Sequence, residues 1–180
     1  MPRLARQMPQ EPPNPAEATP TGADARRAAG RVLAVALPLP GHDLTANGRL
    51  HWAARAALVR ETRRQAAILA RQAMLDAGWR GWRVGMGERD LTFFPRGTRV
   101  RVDYAAVLPP GRRRWDDTAL IEAAKPCIDG LTDAGVWAGD ACAVVGTVTW
   151  DRDRALSPAA SGLLLLTLTD VLGGAPGGRE

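Results

Sequence analysis

The chain has 180 residues, with 24 Lys+Arg against 19 Asp+Glu, a formal charge of +5 and a pI of about 10.4. That length suits one domain with a modest core, and the basic balance favours a polyanionic partner without naming one. No apolar run approaches the roughly 20 residues a bilayer demands, and Cys127 and Cys142 lack CxxC spacing. A membrane protein, a zinc domain and a disulfide framework are therefore not expected, and a cytoplasmic protein is.

Residues 1–30 hold six of the 14 prolines and no periodic apolar pattern. Such a stretch buries too little surface to offset its ordering entropy, so it is expected to be a disordered tail. Residues 173–180 are expected to be a second one, which leaves one domain over 31–172. Arg31 to Leu39 is a short apolar run that reads as a strand. A loop follows over 41–48. From Arg49 to about Ala77, Leu50, Ala54, Ala57, Leu58, Ala66, Leu69, Ala70, Ala73 and Met74 recur at helical spacing. The other face carries Arg55, Arg60, Arg63, Arg64 and Arg71, and Gly78 is a plausible terminator.

Asp90 to Phe94 and Arg99 to Leu108 read as strands, and Pro95 to Thr98 between them suggests a hairpin. In the second, Val100, Val102 and Tyr104 share one face, and Arg101 and Asp103 the other. A second helix is predicted from about Asp117 to Ala134, with a stripe of Leu120, Ala124, Ile128 and Leu131. Pro126 inside it should kink the helix or start a new one. Cys142 to Trp150 and Gly162 to Val171 complete the strands. This order of elements implies an α/β (α+β) domain, a mixed sheet with two main helices packed on it.

Arg112 to Asp140, RRRWDDTALIEAAKPCIDGLTDAGVWAGD, carries the chemistry. Three arginines can fork onto phosphates. Asp116, Asp117 and Asp140 are oxygen donors of the kind a hard Mg²⁺ ion takes, if the helix start and the loop beyond its end face one sheet edge. Lys125 is the single lysine among 24 basic residues, a compact charge that a guanidinium does not replace. Each feature also has a plainer use: Asp116 or Asp117 as a helix cap, Asp140 as turn chemistry, the arginines as a solvated loop.

This segment resembles the RusA family of crossover junction endodeoxyribonucleases. The family pattern is a basic run, an acidic D-x-D-N or D-P-x-N, a helical Lys, an apolar-DGL-x-DAG-apolar stretch and a closing D-D pair. Arg112 to Arg114, Asp116, Lys125, IDGLTDAGVW (Ile128 to Trp137) and Asp140 match it in turn. LTANGRLHWAARAALVR (Leu44 to Arg60) is similar to the family's early loop and first helix. The likeness spans roughly residues 30–170. Thr118, Ala119 and Gly139 stand where the family usually has its second Asp, its Asn and the first closing Asp.

The resemblance implies a RusA-like, homodimeric, Mg²⁺-dependent (or Mn²⁺-dependent) nuclease that resolves four-way Holliday junctions in DNA recombination and repair. Asp116, Asp140 and Asp117 would be metal ligands and Lys125 would face the phosphate. Arg112, Arg113, Arg114, Arg49, Asn47 and His51 would contact DNA. Trp52 is expected in the core, with stacking on an unpaired base as the other role open to it. A junction-binding homologue with a weakened or lost cutting site, or a nuclease for other branched DNA, is the alternative.

Overall fold

The computed structural model describes residues 31–45, 47–79, 81, 92–95, 97–153, 156 and 161–171, with the backbone alone of Asp140. The expected tails at 1–30 and 173–180 lie outside these, as do Asp90 and Leu91. Four strands, β1 (Val32–Pro38), β2 (Arg99–Leu108), β3 (Ala143–Arg152) and β4 (Leu163–Val171), form a mixed sheet in the order β1-β4-β2-β3. β4 is antiparallel to β1 and to β2, and β3 runs parallel to β2. Strands β1, β2 and β3 therefore point the same way, and their C-terminal ends share one end of the sheet. Two helices, α1 (Trp52–Asp76) and α2 (Asp117–Asp133), complete the α+β fold.

The strands alternate as their sequences dictate. Leu33, Val35 and Leu37 of β1, Val100, Val102, Tyr104, Ala106 and Leu108 of β2, and Leu164, Leu166 and Leu168 of β4 are buried on the helix side. They meet Ala66, Ala70 and Met74 of α1 and Leu120, Ala124, Cys127 and Leu131 of α2. Burial pushes the Cys127 thiol up to about 12, so this cysteine packs as a small apolar side chain. Cys142 is half-buried. Among the described residues the other sheet face carries no helix, and Val32, Leu163, Leu165 and Val171 are exposed.

Gly130 lets the helices approach. A Cβ there would stand 2.8 Å from the Ala66 Cβ and inside contact distance of the Arg63 carbonyl oxygen. Beside this crossing the Arg63 Nη2 donates to Asp133 Oδ1 at 2.6 Å. Gly78, with φ of +80°, closes α1: its N–H donates to the Leu75 carbonyl and the Trp79 N–H to that of Met74. In β3, Gly146 and Thr147 form a bulge opposite Asp103. Burial raises the Asp103 carboxyl pKa, but the Thr147 N–H and hydroxyl and the Arg101 guanidinium outweigh it and hold the group below its ordinary value.

Two expectations need correction, and one of the two outcomes open to Pro126 is excluded. Thr92 to Phe94 do not form a strand of a hairpin with β2. Both neighbours of β2 are taken by β3 and β4, and the Phe93 and Phe94 N–H groups donate instead to the Gly135 and Val136 carbonyls. Pro126 does not start a new helix, since α2 runs through it as one element with the ring buried. Trp52 is not in the core but 76% exposed. α1 buries its first side chain only at Ala66, so its first three turns reach beyond the sheet.

Candidate nucleic-acid interface

Three loops meet where the strands β1, β2 and β3 end, the end at which α/β sheets commonly take ligands. The loop after β1 carries His42, Asn47, Arg49 and His51. The loop after β2 carries Arg112 to Asp116 and leads into α2. The third leaves β3, where the Asp153 N–H donates to the Leu108 carbonyl. Asn47, Arg49, His51, Arg112, Arg113 and Arg114 are all exposed.

Aromatic rings tie these loops together. The Trp115 ring meets His42 edge-on, with centroids 5.5 Å apart, and Trp150 of β3 at 6.3 Å. Arg114 lies over the Trp150 ring, 5.6 Å from its centroid, and donates to Asp117 Oδ1 at 2.9 Å. The Trp150 indole N–H donates to the same oxygen at 2.7 Å. These two bonds, the indole's first and the guanidinium's second, hold the Asp117 carboxyl below its ordinary value. Asp116 is the α2 cap: its Oδ1 accepts from the Thr118 and Ala119 N–H groups at 2.8 and 3.2 Å. His51 caps α1 in the same manner, its Nδ1 accepting from the Ala53 N–H at 3.4 Å.

Both acids at the helix start thus have structural work. Arg114 is also partly engaged, whereas Arg112 and Arg113 form no ion pair among the described residues. A phosphate meeting this end would find two exposed guanidinium groups and a third set over an indole. Sequence reasoning missed Trp150 and His42. Their signal was weak, a lone Trp near a strand end and a His in a loop, and only the fold brings them to Trp115.

The expected set is not assembled as a whole. Asp140 begins the short 3₁₀ turn that leads into β3, at the opposite end of the sheet. The 17 residues of α2 span about 25 Å, and that length separates its backbone from Asp116. The premise that the helix start and the loop beyond its end face one edge is therefore wrong within one chain, because a parallel β2-α2-β3 unit puts them at opposite ends. Lys125 is exposed on α2, about 12 Å along the axis from Asp117. Among the described residues, no group of three or more His, Cys, Asp or Glu could hold a metal ion. Asp116, Asp117 and Asp140 therefore do not come together as one cation site within a single chain.

The most specific stretch of the motif is a packing unit. Leu131, Ala134, Val136 and Trp137 are buried, Gly135 turns the chain at φ of +80°, and the Trp137 indole donates to the Thr132 hydroxyl at 2.7 Å. No helix of the described residues is long and apolar enough to cross a membrane.

No protein-family profile matches the chain. A protein of Xylella fastidiosa (strain Temecula1 / ATCC 700964), named as an uncharacterized protein, is 31% identical over 119 residues, which cover 66% of this chain and 67% of that one.

Proposed function

For a chain that belongs to one family with that Xylella fastidiosa protein, we propose a branched-DNA-binding function of RusA type, directed at four-way junctions. The observation that carries it is the loop end itself. Arg112 and Arg113 stand exposed and, among the described residues, without acidic partners beside the Arg114–Trp150 contact, where α2 starts and the parallel strands end. Guanidinium forks suit phosphate oxygens, and an excess of positive charge speeds encounter with DNA. Arg49, Asn47 and His51 lie on the neighbouring loop and belong to the same surface. The homodimer implied by the resemblance is part of this proposal, and the exposed Val32, Leu163, Leu165 and Val171 on the sheet face away from the described helices support it.

Metal-dependent cutting is the second reading, and one observation favours it. The Oδ2 oxygens of Asp116 and Asp117 make no hydrogen bond among the described residues, and Mg²⁺ is commonly held by one or two carboxylates plus substrate phosphates. Asp116 and Asp117 would then be the protein ligands, and the ion would supply charge neutralisation at the phosphate. Asp140 of the same chain has no place in that site.

The test is a four-way junction assay with and without Mg²⁺, on wild type, Asp116→Asn, Asp117→Asn and Asp140→Asn. Retarded junction without product, in Mg²⁺, is the result for a binding protein. Product that disappears in Asp116→Asn would establish the second reading. No retardation of any branched DNA would remove both.

A further inference from the structure

Trp52 is the first residue of α1 and is 76% exposed, the largest apolar side chain left so open among the described residues. Its own helix explains the exposure. The first buried residue of α1 is Ala66, fourteen residues beyond Trp52. An indole held out in water gains nothing for folding, and its size and flat face suit it to a partner.

Its position says which partner. α1 and α2 cross where Gly130 faces Arg63 and Ala67. From that crossing Trp52 lies about 20 Å back along α1, and Asp117 about 20 Å back along α2, so the two helices begin at similar heights. A chain of contacts links them: Arg55 donates to the Leu44 carbonyl at 3.1 Å, and the turn at His42–Leu44 brings His42 to Trp115, next to Arg114. The exposed indole thus stands at the same end of the molecule as the free guanidinium groups of Arg112 and Arg113. His51, its ring 5.5 Å from that of Trp52, flanks it.

A basic surface with a projecting aromatic ring is how proteins hold unpaired nucleotides. The cations follow the backbone and the ring stacks on a base, which tolerates any sequence because every base has a π-face. Paired bases inside a duplex are already stacked and offer no such face. We propose that Trp52 is a stacking platform for an unpaired base, which makes this end select DNA with opened or single-stranded bases over intact duplex. The inference rests on the DNA-binding reading above and adds the feature of the substrate that is read.

Binding is measured by anisotropy of the full chain on three labelled DNAs: a junction with unpaired bases at its centre, a single strand and a linear duplex. Trp52→Ala should weaken the first two by roughly 5- to 150-fold. It should leave the duplex within about twofold, and Trp52→Phe should restore most of the loss. Far-UV circular dichroism and melting should not change, since the side chain packs on no core residue. Equal losses on all three DNAs, or no loss, would overturn the proposal while the DNA-binding reading stood. Loss of a dimer in sedimentation with unchanged DNA selectivity would overturn it in favour of a subunit contact. Wild type that binds none of the DNAs overturns both.

Discussion

The two ends of α2 differ in kind. At its C-terminal end, Gly130, Leu131, Ala134, Val136 and Trp137 close the core, and Thr132 and Asp133 anchor the turn to Trp137 and to α1. At its N-terminal end, Arg112 to Asp117 lie exposed or half-exposed among His42, Trp115 and Trp150. The first end carries the most recognisable residues and no chemistry. The second carries the charge, and its acids depart most from the family pattern. A motif that runs unbroken in sequence is thus divided by about 25 Å of helix into a packing half and a charged, exposed half.

The division can be broken from the packing side first. Trp137→Ala removes a buried indole and leaves the Thr132 hydroxyl without its donor, and should cost about 3–5 kcal/mol in denaturant unfolding. Gly130→Ala places a methyl against the Arg63 carbonyl at the helix crossing. It should cost about 1–3 kcal/mol and leave the salt dependence of DNA binding as it was. If either variant at a concentration where it is folded lost junction binding selectively, the two halves would not be separate.

The charged end should respond to pH. Asp117 has its pKa depressed in the fold, by the Trp150 indole and then by Arg114. Its contribution is therefore present above the unfolded carboxylate pKa and lost as the pH falls through the depressed one. Relative to Asp117→Asn, wild type should gain stability from acid toward neutral pH and stay level above that range. A difference between the two that grew above pH 7 would contradict the assignment.

Much of the frame was legible because period-two and helical patterns report burial directly. β2 alternates from Arg99 to Tyr104 and ends where Pro109 and Pro110 follow, and α2 starts at the cap Asp116 provides. Trp52 misled because an aromatic residue at the start of an apolar periodicity reads as core, while that part of α1 reaches past the sheet. Phe93 and Phe94 misled because two buried aromatics look like strand, but their N–H groups bond the loop after α2. Asp140 misled most. Its separation from Asp116 depends on β3 lying parallel to β2, a pairing between segments some 40 residues apart that no local pattern encodes.

The central claim is that nucleic acid meets the Arg112 to Asp117 end. The most direct test is the salt dependence of four-way junction binding for wild type, an Arg112→Ala/Arg113→Ala double variant and Asp140→Asn. Removing two phosphate contacts should lower the slope of log K against log salt by about 2, and Asp140→Asn should leave it unchanged. An unchanged slope in the double variant, with a changed one in Asp140→Asn, would place the DNA at the other end of the sheet and contradict the account.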